Sequence, residues 1–299
     1  SERLSAPLDE LLQALTSDHR VLLTGPVAPD GDSLGACLAL QALLRDRGIS
    51  CDVAGDVPPR YTWVPGASGI VPDARVEPIY QAVVVLDGDR HRLPAPVLAA
   101  FRAASLKGLI DHHASSVPEG YDVCWLEPGA TSTCEMLYQA FVARDVTIDR
   151  DRATMLYIGA VFDTGGFRYS NTTPATHRMA AALIEAGVDH TAACIKVLME
   201  RSFPALQASA EIFAMASLHA QGAVAISRVP MELTRRLSLR PGDLEGVVDA
   251  LVHLVEVEAA ALFIERPDGS VKISLRSRGR VNVCALAGRL APTGGGHRK

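Results

Sequence analysis

The sequence predicts an α/β fold: an N-terminal, mainly parallel sheet flanked by helices, a smaller C-terminal α/β domain, and an active-site cleft between them. Three observations predict it. Short apolar runs alternate with helix-period segments up to residue 110, the pattern of strand–helix–strand units. Three of those runs lead into acidic clusters, Asp30-Gly31-Asp32, Asp87-Gly88-Asp89 and Asp111-His112-His113. Beyond residue 220 the pattern changes to a strand, two short helices and a hairpin signal at Pro267-Asp268-Gly269.

In chain order, Leu8 to Leu15 has the spacing of an amphipathic helix. Val21-Leu22-Leu23-Thr24 reads as a buried strand. A Pro/Gly/Asp loop over 26–32 leads to a helix from Ser33 to Arg47, with Asp32 or Ser33 as its N-cap. Ser50 to Ala54 is a second strand and Ala82 to Leu86 a third, ending at Asp87. Pro96 to Ala104 is helical, and Leu106 to Ile110 is a strand ending at Asp111. Thr131 to Ala143, Ala153 to Phe162, Pro174 to Ala186 and Phe203 to His219 fit helix periods. Pro174 suits a first helical turn because its missing N–H has no intrahelical partner there. Ala223 to Ile226 is a strand, followed by helices near 230–237 and 243–253. Glu256 to Glu265 and Ser270 to Arg276 flank the hairpin turn, and Val283 to Leu290 is a final helix. The expected division is a catalytic domain over 1–200, a linker helix over 201–219 and a substrate-binding domain over 220–299.

A hydrophobic content of 48% with 21% charged residues supports a sizeable core and excludes a disordered chain. The six cysteines, at 37, 51, 124, 134, 194 and 284, form no CxxC pair. That argues for a reduced, cytoplasmic protein and against a structural zinc site. No secretory signal opens the sequence. The most apolar stretch, Val247 to Ile264, is interrupted by Asp249, His253, Glu256 and Glu258, so no membrane partner is expected. A net charge of −5 argues against long duplexes. Yet residues 266–299 hold eight basic groups and one acid, leaving 21 basic and 33 acidic groups on residues 1–265. Such a basic tail is either a solvated face or a phosphate-binding surface serving an acidic site.

In a parallel sheet, ligands gather beyond the carboxyl ends of the strands. Strand-end carboxylates and imidazoles there suit manganese, magnesium or zinc. Asp30 and Asp32 on one loop can each hold a different ion, and Asp87 on a strand end can bridge two. His112 offers nitrogen, and Asp163 in Phe162-Asp163-Thr164-Gly165-Gly166 closes the second site. Two ions about 3.5–4 Å apart stabilise an in-line phosphoryl displacement. Taken singly, each feature has a plainer reading: Asp-Gly-Asp as a turn, Asp163 as a helix end, Gly294-Gly295-Gly296 as a flexible loop rather than an anion nest. Their joint occurrence in this order favours the metal site.

The segments Pro29-Asp30-Gly31-Asp32-Ser33-Leu34-Gly35, Val84-Val85-Leu86-Asp87, Ile110-Asp111-His112-His113, Ala130 to Glu135, Phe162 to Thr172, Ser274-Leu275-Arg276-Ser277 and Gly294-Gly295-Gly296-His297 together resemble a known family. It is that of the DHH phosphoesterases with a DHH-associated C-terminal domain, and within it the nanoRNase/pAp phosphatase group, relatives of RecJ-like exonucleases. The resemblance spans essentially the whole sequence. It implies a two-manganese site, with magnesium as the alternative ion. Asp30 and Asp87 hold the first ion, and Asp32, Asp87, His112 and Asp163 the second. Asp87 bridges, His113 faces the scissile phosphate and Asp111 supplies a supporting hydrogen bond. Arg276, the Gly294, Gly295 and Gly296 nest and His297 bind substrate. The implied reaction is hydrolysis of short single-stranded oligonucleotides (nanoRNA) or 3′-phosphoadenosine 5′-phosphate (pAp) to nucleoside monophosphates by metal-activated water. A homodimer is also implied.

Two departures stand out. The family's first motif opens with a histidine four residues before Asp30, and that position is Pro26, which has no donor atom; Ala28 replaces the usual asparagine. The expected consequence is a weak first ion or a one-ion enzyme. The alternative is a nucleotide-binding regulator with reduced or no hydrolysis. The family pattern also continues past His297 into a final strand, whereas Lys299 is the last residue here, so a trimmed C-terminus is expected.

Overall fold

A computed structural model describes residues 2–240 and 242–290. The chain divides into two compact units, residues 1–200 and 201–299.

The first unit opens with α1 (Glu2–Ala14), which buries Leu8, Leu11 and Leu12. The sheet and its near helices follow as β1 (Arg20–Thr24), α2 (Gly31–Asp46), β2 (Ser50–Ala54), β3 (Ala82–Leu86), α3 (Ala95–Ala103), β4 (Leu106–Asp111) and β5 (Val123–Leu126). All five strands are parallel, in the order β2-β1-β3-β4-β5. Side chains alternate between the faces, as the two-residue period demands. Val21, Leu23, Val84 and Leu86 pack into the larger core, which α1 and α2 share. Leu22, Val83 and Val85 pack against Val97, Ala100 and Phe101 of α3.

The register aligns the strand ends that matter. Thr24 lies opposite Val85, Leu86 opposite Ile110, and Asp111 opposite Leu126. The chain leaves β1 toward β2 on one side and later returns to β3 on the other, so β1 and β3 flank the topological switch point. The loops after β1, β3 and β4 therefore converge at one edge of the sheet.

Four helices complete this unit: α4 (Thr133–Val142), α5 (Arg150–Asp163), α6 (Pro174–Glu185) and α7 (His190–Cys194), the last running into a π-helical turn over Ile195–Met199. Helix α5 is buried along nearly its whole length. It approaches α2 so closely that a Cβ on Gly35 would stand 2.1 Å from the Met155 carbonyl oxygen.

The second unit contains α8 (Phe203–Ala214), β6 (Ser217–His219), β7 (Val224–Val229), α9 (Met231–Arg236), α10 (Val247–Val252), β8 (Ala259–Glu265), β9 (Val271–Ser277) and α11 (Val283–Leu290). Its sheet runs β6-β7-β8-β9, with β7 and β8 parallel and the outer pairs antiparallel. Ala208 and Ile212 of α8 pack with Val247, Leu251, Ala225 and Leu262 in its core.

Three expectations need correction. The N-cap of α2 is Asp30, not Asp32 or Ser33. The Asp30 carboxylate accepts the Asp32 and Ser33 amides at 3.0 and 3.1 Å, and Ser33 Oγ accepts the Asp30 amide at 3.1 Å. The single helix expected over 203–219 stops at Ala214, and the chain turns into β6. Strand β5 was not anticipated. Among the described residues no helix is long and apolar enough to cross a membrane.

Candidate metal centre

Three loops deliver the acidic side chains. Asp32 sits in the first turn of α2, fully buried, where its carboxylate accepts the Thr133 and Cys134 amides at 2.6 and 2.9 Å. These are free amides at the start of α4, whose N-terminal dipole favours an anion. Asp87 follows β3 with φ of 59°, and its own amide is held by the Ile110 carbonyl at 3.0 Å. A non-glycine residue in the left-handed region costs free energy and is kept where the surroundings impose it. Asp163 ends α5, and the chain then reverses through Gly165 and Gly166, both at positive φ.

His112 lies at the centre. Its Nε2 is 3.0 Å from Asp163 Oδ2, 3.5 Å from Asp87 Oδ1 and 3.9 Å from Asp32 Oδ2. Its Nδ1 lies 3.2 Å from the Ala130 carbonyl oxygen, an acceptor that requires the proton on Nδ1. That bond turns Nε2 toward the carboxylates, the orientation a metal-binding imidazole needs. Ligand atoms of Asp32, His112 and Asp163 lie within 4.8 Å of one another, as do those of Asp87, His112 and His113. Asp30 belongs to neither group. It stands beside them as the α2 cap.

Asp111 does not point at this cluster. Its buried carboxylate accepts the His112 and His113 amides at 2.8 and 3.2 Å, His113 Nδ1 at 2.7 Å, and the Ser116 hydroxyl. Burial raises its pKa, but the His113 and Ser116 contacts outweigh that and hold it below the ordinary carboxylate range. Asp111 therefore fixes the turn and the His113 ring, whose Nδ1 is also 3.6 Å from Asp87 Oδ1.

Sequence reasoning did not assign a site role to Ser116 or Asn171. Asn171 Nδ2 donates to the Thr131 carbonyl at 3.3 Å and to the Asp163 carbonyl at 3.1 Å. Glu135, buried, accepts the Thr131 amide at 2.8 Å. These bonds hold both the Ala130 carbonyl that orients His112 and the end of α5 that carries Asp163. The available signal is the polar run Ser170-Asn171-Thr172-Thr173, three residues beyond the helix-ending glycines.

The electrostatics favour protons on this cluster. Burial, then the Asp30 and Asp32 charges, push the Asp87 carboxyl well up. Burial and the Asp163 charge raise Asp32, and partial burial with the Asp32 charge raises Asp30. For His112, burial lowers the pKa, but the Asp163 and Asp87 contacts overcome it and push it up to about 12. Asp87 Oδ1 is buried and meets no donor in hydrogen-bonding geometry. Three carboxylates and one oriented imidazole fit a hard or borderline divalent cation.

A pH dependence follows. The Asp163 and Asp87 contacts favour the protonated His112 ring, so a cation binding there displaces a proton. Apparent metal affinity rises with pH, about tenfold per unit for each proton displaced. Calorimetric manganese titrations in buffers of different ionisation enthalpy should show at least one proton released per ion. No release would contradict these assignments.

Arg276 is on β9 in the second unit, where its Nε donates to Asp249 Oδ1 at 2.9 Å and its Nη1 to the Leu275 carbonyl at 3.1 Å. Gly294, Gly295, Gly296 and His297 lie outside the described residues. Pro26 is buried beside Gly88, the residue after Asp87.

Comparison with known proteins places this geometry in context. Residues 20–160 match the DHH family, N-terminal domain, and residues 221–299 match the DHHA1 domain. The sequence is 26% identical over 291 residues to a bifunctional oligoribonuclease and PAP phosphatase NrnA of Thermus thermophilus, covering 96% of this chain and 84% of that protein. It is 24% identical to the protein of the same name from Bacillus subtilis, covering 96% and 90%. Among solved structures, an exopolyphosphatase-related protein from Bacteroides fragilis superposes with a TM-score of 0.88 at 22% identity, covering 98% of this chain and 89% of the other. That likeness establishes the shared fold.

Proposed function

We propose, from the premise that this chain belongs to the DHH family and carries a DHHA1 domain, that it is a manganese-dependent phosphoesterase acting on short single-stranded oligonucleotides and on pAp. Magnesium is the alternative ion. The observation that carries this reading is the His112 Nε2 atom facing Asp163, Asp87 and Asp32 while its Nδ1 is held by the Ala130 carbonyl. NrnA-type relatives named for oligoribonuclease and PAP phosphatase activity support the substrate class.

Asp32, Asp87, His112 and Asp163 would hold the ion, with Asp30 at the first position beside Asp87. Bound there, a divalent cation supplies Lewis acidity toward a phosphoryl oxygen and lowers the pKa of water. Asp111 orients the His113 ring through Nδ1 at 2.7 Å, and His113 would meet a phosphoryl oxygen or protonate the leaving group. One bond forms between the water oxygen and phosphorus, the ester P–O bond breaks, and a proton ends on the leaving oxygen. Arg276 in the DHHA1 domain, with the Gly294, Gly295 and Gly296 segment and His297, would anchor a neighbouring phosphate and base. The compact basic charge of residues 266–299 suits substrates of a few nucleotides. A cytoplasmic homodimer completes the reading.

Arg276→Ala should raise KM for pAp roughly tenfold, the worth of one charged hydrogen bond, and leave kcat nearly unchanged. A fall in kcat at constant KM would remove Arg276 from substrate binding.

A second reading is favoured by Pro26, which offers no ligand atom beside Asp87: a nucleotide-binding regulator without hydrolysis. One assay separates the two. A 5′-labelled dinucleotide and pAp are incubated with and without manganese. Manganese-dependent release of nucleoside monophosphate supports the enzyme. Tight pAp binding with no product at saturating manganese supports the regulator.

A further inference from the structure

The Pro26 side of Asp87 is not bare. Gly88 follows Asp87 with φ of 145°, and a Cβ placed on it would lie 3.7 Å from both Cβ and Cδ of Pro26 and 3.5 Å from Nη1 of Arg92. The proline ring and the Arg92 guanidinium therefore meet at one point beside the Asp87-Gly88 backbone. Buried Pro26 forms the wall of this corner, and Arg92 is exposed at its mouth.

The placement is built, not incidental. The Val27 amide donates to the Arg92 carbonyl at 3.0 Å, tying the first acidic loop to this residue. The Arg92 amide donates to the Asp89 carbonyl at 3.0 Å. Asp89 is buried, and its carboxylate accepts the His91 amide at 2.9 Å and the Val117 amide at 3.1 Å. The turn is thus fixed to the segments before α2 and after β4.

Some arginines of this unit are paired, Arg20 with Asp52, Arg144 with Asp9 and Arg152 with Asp46; what sets Arg92 apart is its place beside Gly88 and Pro26. Among the described residues, the Arg92 guanidinium makes no ion pair or hydrogen bond. Its donors are available to a ligand. A bound phosphate would favour such a charge. Asp30, Asp32, Asp87 and Asp163 bring four carboxyl groups to a site that must admit a phosphate, and Pro26 removes a ligand for one of the cations that would offset them. A guanidinium offers a fixed positive charge with paired donors matched to phosphate oxygens.

We propose that Arg92 is a substrate-binding residue whose guanidinium grips non-bridging phosphate oxygens on the Pro26 side of Asp87, supplying positive charge where the first ion is poorly held. This rests on the phosphoesterase reading for the identity of its ligand.

The test is calorimetric binding of pAp to wild type, Arg92→Gln and Arg92→Lys, each with and without manganese, with manganese affinity measured in parallel. Arg92→Gln is expected to weaken pAp binding by about tenfold or more in both conditions. Arg92→Lys should fall between it and wild type. Manganese affinity should be unchanged or tighter, because a nearby positive charge has been removed. In turnover, KM should rise more than kcat falls. A folded Arg92→Gln protein that binds pAp within twofold of wild type overturns the proposal, as does a wild type with no pAp affinity. If wild type binds pAp without hydrolysing it and Arg92→Gln loses that binding, the Arg92 assignment stands and the enzyme reading fails. Hydrolysis by wild type with an unaltered Arg92→Gln rejects the Arg92 assignment alone.

Discussion

Replacing His112 by alanine is expected to lower kcat for the proposed phosphoester hydrolysis by more than about 100-fold. Loss of a partner that merely orients a ligand costs 10- to 100-fold in metal affinity or activity, and His112 is assigned as a ligand itself. The substitution removes the nitrogen 3.0 Å from Asp163 and 3.5 Å from Asp87. It leaves three buried carboxyl groups facing one another, with neither imidazolium nor ligand between them. Their mutual repulsion is relieved by further protonation, which opposes a cation. The variant should therefore lose bound manganese as well as activity, and both should be measured on the same preparation. A His112→Ala protein with near-wild-type kcat would refute the site.

Gly159→Ala should be nearly as damaging, although Gly159 is not an expected ligand. On α5 its Cβ would stand 2.5 Å from Asp32 Oδ1 and 2.4 Å from Cys134 Sγ. Asp32 cannot yield freely, because the Thr133 and Cys134 amides hold both of its oxygens. Overpacking of this kind costs about 1–3 kcal/mol. Either α5 moves, carrying Asp163 away from His112, or the Asp32 carboxylate rotates off its amides. The expected outcome is a lowered melting temperature together with weakened manganese binding. Full metal affinity in a Gly159→Ala protein would show that Asp32 is not constrained as described.

Much of the candidate metal centre is legible in the sequence because its residues sit at the ends of apolar runs. Once Val21–Thr24, Ala82–Leu86 and Leu106–Ile110 are strands of one parallel sheet, Asp30, Asp32, Asp87 and His112 must gather at its carboxyl edge. Local pattern and topology carry that inference together. What escaped depends on distant partners. Strand β5 is four residues, Val123–Leu126, placed by pairing with β4 rather than by a strong pattern of its own. The helix over Phe203–His219 was overextended because apolar spacing continues past Ala214. The chain instead leaves the helix at Met215, and Ser217–His219 become a strand only by pairing with β7. Asp30 caps α2, where the local pattern points to Asp32 or Ser33. Asn171 and Gly159 matter only once α5 and the loop before α4 are known to meet.

The central claim is that Asp32, Asp87, His112 and Asp163 form a metal centre at the carboxyl edge of the sheet. Crystals soaked in manganese and measured at its absorption edge test it most directly. The account predicts a strong anomalous peak coordinated by His112 Nε2 and the Asp32, Asp87 and Asp163 carboxylates, with a weaker peak or none between Asp30 and Asp87 on the Pro26 side. Soaked crystals with no peak against His112 Nε2 would contradict it.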